Sequence, residues 1–186
     1  MKKRLLIMAI LCAFTVTYAK SQRIGTIEGG IWNQFTRNIF EIDIELRFDP
    51  AEEEFFLFID SPESAVEIII DEEYRAAMEE NLCIFRRKLR QVELQEKMLD
   101  VEIGEFPTAY CRFQKGKKNW YDSKINSTAN FFSQKIDMHQ FIIITSNMKE
   151  QDGIIKRKSL TVYIDSSEIK KMLELFREDN FKKYLK

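Results

Sequence analysis

Between residues 40 and 48 the chain reads FEIDIELRF, which puts Phe40, Ile42, Ile44, Leu46 and Phe48 on one side and Glu41, Asp43, Glu45 and Arg47 on the other. A period of two marks a strand with one buried and one wet face. Asp49-Pro50 ends it. FFLFI at 55–59 then predicts a strand buried on both faces, and VEIII at 66–70 a third strand behind the Ser61-Pro62 turn. Upstream, IGTIEGGIW at 24–32 reads as a strand in which Gly29-Gly30 predicts a bulge or sharp bend. The period then changes. Tyr74, Met78, Leu82, Phe85, Leu89 and Val92 recur every three or four residues, predicting one amphipathic helix over 71–98 whose first turn is acidic through Asp71, Glu72 and Glu73.

Strand patterning resumes in TAYCRF at 108–113. A Lys115-Gly116-Lys117-Lys118 turn and NWYD at 119–122 complete a predicted hairpin, and 126–134 shows no clear period. QFIIITSN at 140–147 and SLTVYI at 159–164 predict two more strands around a loop holding Asp152-Gly153. Asp165 with Glu168 forms a capping box for a closing helix whose apolar side is Ile169, Met172, Leu173 and Phe176. The sum is an α+β domain: a mostly antiparallel sheet, with an N-terminal meander and later hairpins, packed against one long central helix and a C-terminal helix.

The first nineteen residues follow a different logic. LLIMAILCAFTV at 5–16 sits behind Lys2, Lys3 and Arg4, and twelve helical residues reach about 18 Å, short of a hydrocarbon core about 30 Å thick. Thr17 and Ala19 supply the small-x-small pattern of a signal-peptidase site before Lys20. Residues 1–19 are therefore expected to be a removed signal peptide, with 20–186 a single domain, no transmembrane span after processing, and a periplasmic or secreted destination. Lipidation at Cys12 is the lesser alternative, because Leu11 stands where that processing needs a small residue.

Removing Lys2, Lys3 and Arg4 from 29 basic side chains leaves 26 against 30 acidic ones, a balance with no global pull on nucleic acid. Hydrophobic residues at 45% with only 3 Pro and 6 Gly describe a packed domain, not a disordered chain. Export would carry Cys83 and Cys111 into an oxidising compartment. Cys83, however, lies roughly 150° around the helix from its apolar stripe, while Cys111 alternates with Ala109 and Phe113 on an inward strand face, so their pairing stays open.

Candidate chemistry is sparse. His139 is the only histidine, there is no G-x-S-x-G elbow, and one histidine with two separated cysteines makes no zinc set. Glu41, Asp43, Glu45, Glu52, Glu53, Glu54 and Asp60 could hide a carboxylate pair of glycosidase type, although alternating acids on a strand are more simply a solvated face. Glu52 to Glu54 lack the spacing of a calcium loop. No catalytic residue, metal or cofactor is assigned.

Basic residues cluster at Arg86, Arg87, Lys88 and Arg90 on the helix, and at two predicted turns: Lys115, Lys117 and Lys118, then Lys156, Arg157 and Lys158. The turn clusters are either solubilising charge at strand ends or a contact for an anionic partner. Trp32, Trp120 and Tyr121 are the stacking candidates. Neighbours on a strand face opposite ways, so Trp120 and Tyr121 cannot share a face, and each of the three is expected to pack in the core.

The reading is an exported, non-enzymatic binding or assembly module of a bacterial envelope. Its contact candidates are Lys115, Lys117, Lys118, Lys156, Arg157 and Lys158 with Trp120 and Tyr121, and its partner is an anionic envelope component or another envelope protein, not nucleic acid. The alternatives are a small-ligand or glycan-binding domain with an apolar cleft between sheet and helix and, below that, a carboxylate-dependent hydrolase. Intact-mass analysis of exported protein should place the mature N-terminus at Lys20 or within a few residues of it; retention of residues 1–19 in that material would refute the leader assignment.

Overall fold

The computed structural model describes residues 21–33, 38–61, 64–93, 101–115, 120–136, 139–150 and 158–185. The leader assignment and the Asp152-Gly153 loop lie outside them. Nine strands run in the order β1 (Gln22–Asn33), β2 (Asn38–Asp49), β3 (Glu54–Asp60), β4 (Ser64–Ile70), β5 (Val101–Glu105), β6 (Ala109–Lys115), β7 (Trp120–Ile136), β8 (His139–Glu150) and β9 (Lys158–Asp165). Helix α1 (Glu72–Glu93) separates β4 from β5. A short 3-10 turn (Ser166–Glu168), α2 (Ile169–Leu175) and α3 (Glu178–Lys182) follow β9. The α+β class with antiparallel pairing, one long helix and a C-terminal helical segment is what the periodicities predict.

All pairings are antiparallel, and the sheet order is β5-β7-β6-β4-β3-β2-β1-β9-β8 with β7 also paired to β8. The ladder therefore curls until it meets itself. Its weakest join is between β1 and β9, where only Gly30↔Tyr163 and Ile31↔Val162 pair. β5 and β6 lie end to end along one edge of β7, β5 against its second half and β6 against its first. In the break between them Phe106 is buried and stacks on Tyr74 at 5.1 Å.

The inward positions of the strands are those of the period-two pattern, among them Ile44, Leu46, Leu57, Ile68 and Val162, all buried. Against them α1 lays Tyr74, Met78, Leu82 and Phe85, and α2 lays Ile169, Met172 and Leu173, also buried. Asp71 caps α1 by accepting the Tyr74 amide at 2.7 Å. Arg75, only 5% exposed, ties α1 to the C-terminal segment. Its guanidinium donates to Glu72 and Glu79 and, at 2.8 Å, to the Phe176 carbonyl. Phe181 of α3 stacks on Phe55 at 4.4 Å and closes one end of the core.

Several local expectations change. β1 is irregular between Arg23 and Gly25, not at Gly29-Gly30, which stay in register with Ile42 and Glu41. The two glycines serve close approach instead: a side chain at Gly30 would collide with Ile39, and one at Gly29 would lie 2.7 Å from Ile44 Cδ1. The predicted helix is present over Glu72–Glu93, and residues 94–98 of its predicted span lie outside the described residues. Residues 126–134 belong to β7, with a register shift between Asn126 and Asn130. The capping box is half formed: Asp165 accepts the Ser167 amide at 2.8 Å, but the Glu168 carboxylate accepts the Glu28 amide of β1 at 3.1 Å. Cys83 and Cys111 are not joined by a disulfide.

On the outer face, arginines cover aromatics. Arg47 lies 4.3 Å over Phe58 and bridges to Glu45, and Arg112 lies 5.9 Å over Phe56 and bridges to Glu54 at 2.7 Å and Glu67 at 3.2 Å. This cover is why Phe56 is buried although it points away from the helices. Desolvation raises the Glu67 carboxyl above its ordinary 4.5, more than the Arg112 charge lowers it.

Replacing Phe85 by Ala should lower stability by about 3–5 kcal/mol in urea unfolding, and replacing the exposed Arg86 should change it little; equal effects would mean that the helix phase is wrong. Glu67 gives a second measurement. A carboxyl whose native pKa exceeds its unfolded one binds its proton more tightly when folded. Its contribution is thus most favourable below about pH 4.5 and is lost as pH rises through the raised native value. Glu67→Gln should be at least as stable as the parent at pH 7, with its relative advantage shrinking toward pH 4. A variant less stable at pH 7 would show that the Arg112 bridge outweighs the desolvation.

Candidate functional site

Antiparallel pairing places the β1–β2, β3–β4, β6–β7 and β8–β9 links at one end of the curled sheet, called the upper end below. The β2–β3 turn and the start of α1 lie at the other. Met148 of β8 pairs with both Ile125 of β7 and Lys158 of β9, so the strand ends that flank the two lysine-bearing links belong to the same end of the sheet. They are forty residues apart in the chain, and only the pairing joins them.

Lys115 is the last residue of β6, opposite Ser64, and Lys158 is the first residue of β9, opposite Met148. Trp120 opens β7 opposite Gln114, and Tyr121 follows opposite Phe113. Lys117, Lys118, Lys156 and Arg157 lie outside the described residues, in the short links that join these strand ends. The side chains of Lys115, Tyr121, His139 and Lys158 also lie outside what is described. Of the six basic residues, the backbone brings Lys115 and Lys158 to the same end of the sheet.

Three aromatic side chains stand exposed toward that end: Trp32 at 42%, Phe40 at 48% and Trp120 at 42%. The expected core placement of Trp32 and Trp120 is thus corrected. Both sit at strand termini, beyond the part of the sheet that the helices cover. Phe40 belongs to the inward series that buries Ile42 and Ile44, but the cover stops before it. The sequence signal for all three was position relative to a strand end, which residue type alone does not carry. Arg86, Arg87 and Arg90 are exposed on α1 and are not part of this cluster.

Among the described residues, an inner void and an outer groove bear on ligand binding. The void between the inner face of the sheet and the helices, lined by Ile44, Leu57, Tyr74, Met78, Val162 and Phe176, measures about 30 Å³, the room of a single water and far below a small-molecule pocket. On the outer face, over the β1–β9 join, a groove of about 690 Å³ opens broadly to solvent. Its walls include Ile39, Glu41, Asp43, Phe141 and Tyr163, and its floor is Gly29-Gly30. Phe141 and Tyr163 meet edge to face at 6.4 Å. Of the carboxylates considered in the sequence, Glu41 and Asp43 face this groove, Glu45 and Glu54 are held by arginines, and Glu52 and Glu53 are exposed in the β2–β3 turn. Among the described residues no group of three or more His, Cys, Asp or Glu side chains is placed to hold a metal ion.

Among the described residues no helix is long and apolar enough to cross a membrane. Set against protein-family models, curated proteins and solved structures, the chain matches none of them.

Proposed function

We propose that the chain is an exported, non-enzymatic binding module of a bacterial envelope, which meets an anionic partner through the upper end of its sheet. The observation that carries this reading is that the strand ends Lys115, Trp120, Glu150 and Lys158 lie at one end of the sheet, where the Trp120 side chain is exposed. Lys117, Lys118, Lys156 and Arg157 lie in those links by sequence. The filled interior supports a surface contact, since a void of about 30 Å³ leaves no room for a ligand between sheet and helices. Changes at strand links leave the core undisturbed, which is where binding residues are commonly carried.

The alternative is a small ligand or glycan held in the outer groove, where the Phe141–Tyr163 edge offers a face for stacking and Glu41 and Asp43 offer acceptors for hydroxyl groups.

Reversing Lys117, Lys118, Lys156 and Arg157 to Glu together tests the first reading. Folding, followed by thermal unfolding, should be unchanged. Binding of the parent to dextran sulfate and to lipopolysaccharide should weaken from low ionic strength to about 0.15 M, where the Debye length is about 8 Å, and the reversed protein should bind at least roughly tenfold more weakly, since each basic group near an anionic surface contributes on the order of 1 kcal/mol. Equal binding by parent and variant, or none by the parent, would return the clusters to solubilising charge.

A further inference from the structure

We infer that the groove on the outer face, over the β1–β9 join, binds a small organic polycation: an amine of the diamine or polyamine class, with its ammonium groups set along a flexible alkyl chain. This goes beyond the anionic contact at the upper end and does not depend on it. It also gives the groove a ligand class other than a neutral glycan.

Charge sets the groove apart from the rest of the outer face. Along β2 the outward carboxylates are Glu41, Asp43 and Glu45, and the last of these is bridged by Arg23 and Arg47. Further round the sheet, Glu54 and Glu67 are bridged by Arg112. In the groove, Glu41 and Asp43 are joined by the exposed Glu28 of β1, and no lysine or arginine is among the residues that line it. Among the described residues none gives these three carboxylates an ion pair or a hydrogen bond. Glu28 stands directly opposite Asp43 in the ladder, and like charges so placed destabilise a sheet. A cation between them removes that cost, a neutral sugar leaves it, and an anion adds to it.

Spacing selects the kind of cation. Alternate residues of a strand stand about 7 Å apart and opposite residues of paired strands about 5 Å, so the three carboxylates are spread over a patch. Among the described residues no three acids are placed to hold one metal ion. Separate ammonium groups on one chain can instead meet separate carboxylates. The remaining walls suit the carbon chain between those ammonium groups. Glu41, Gly30 and Tyr163 form one row across β2, β1 and β9. Gly30 carries no side chain and Ile39 lies against it, so the floor between the carboxylate and the ring is apolar. Tyr163 and Phe141, edge to face at 6.4 Å, offer ring surface to methylene groups and to an ammonium. A volume of about 690 Å³ is that of a small-ligand site.

Calorimetric titration of the exported protein with spermidine, propylamine, calcium chloride and maltose at physiological ionic strength tests the site. Spermidine should bind roughly tenfold or more tightly than propylamine, because separate ion pairs add. Glu28→Gln, Glu41→Gln and Asp43→Asn together should weaken spermidine by roughly tenfold or more. The same loss of charge elsewhere, through Glu52→Gln, Glu53→Gln and Glu80→Gln, should leave its affinity unchanged. Tyr163→Leu should weaken it several-fold. In thermal unfolding, spermidine should raise the midpoint of the parent and not that of the groove variant. Without ligand, that variant should melt at or above the parent, since the opposition of Glu28 and Asp43 is gone. Asp43→Asn alone should give an intermediate loss of affinity, which keeps the test decisive if the triple variant folds poorly. No binding of spermidine, equal losses from the two triple variants, or spermidine displaced by calcium at matched charge would overturn the site. Maltose binding that survives the neutralising substitutions would overturn the cation in favour of a glycan. Each of these outcomes leaves the upper-end contact to its own test.

Discussion

A sheet that curls with its apolar side inward has to have that side covered, and in this protein one helical stripe does most of the covering. Tyr74, Met78, Leu82 and Phe85 are buried to 1% exposure or less, and burial of side chains of this kind stabilises by about 1.5–3 kcal/mol each before the ordering entropy is counted. The helix is held in place by Arg75, whose charge sits among apolar neighbours and is tolerated because Glu72, Glu79 and the Phe176 carbonyl occupy its donors. Removing those acceptors would leave a buried unpaired cation, a far larger cost than the pair itself is worth. The same bond ties α1 to the end of α2, so the two helical covers are placed together. Because they fill the concavity, the surfaces left open are the outer face and the rims.

The curl also leaves one imperfect join. β1 meets β9 through two residue pairs, and beyond them other groups take over. Glu168 accepts the Glu28 amide, and Leu175 of α2 packs where a side chain at Gly25 would stand. A free strand edge is a template for unwanted pairing, and a carboxylate with a helix laid along it is one way of blunting it. The outer groove lies over this same join, with Gly29 and Gly30 as its floor. Its shape follows from the close approach of backbones that the glycines allow.

How much of this could be read from the residues depended on whether local pattern or long-range pairing decided the outcome. β2 and α1 were legible because each has a solvated face and a buried face, so the period shows. β5 was not legible: five residues containing Gly104, followed by Phe106-Pro107, make no pattern, and the segment is a strand because β7 offers it an edge. The second half of β7 was obscure for the same reason, since Asn126 to Asn130 carry no alternation and their strand state comes from β8 and β5. Trp32 and Trp120 were assigned to the core on residue type, which is a sound rule within an element and a poor one near its ends. The basic links could be located as turns, but their meeting at one end is a property of the pairings alone.

That last point bears on what net charge can say about such a molecule. Averaged over the chain, acids and bases nearly cancel. The average hides local pairing: at the end of the sheet that exposes Glu52, Glu53, Asp71, Glu72 and Glu73, Glu72 is bridged to Arg75 and lies within reach of the exposed Lys182 charge. Between the ends, the outer-face carboxylates Glu45, Glu54 and Glu67 are met by Arg23, Arg47 and Arg112 at short range and contribute little field at a distance. A nearly neutral composition therefore says little about the local field, which is set by which charged side chains are paired at short range and which are left exposed.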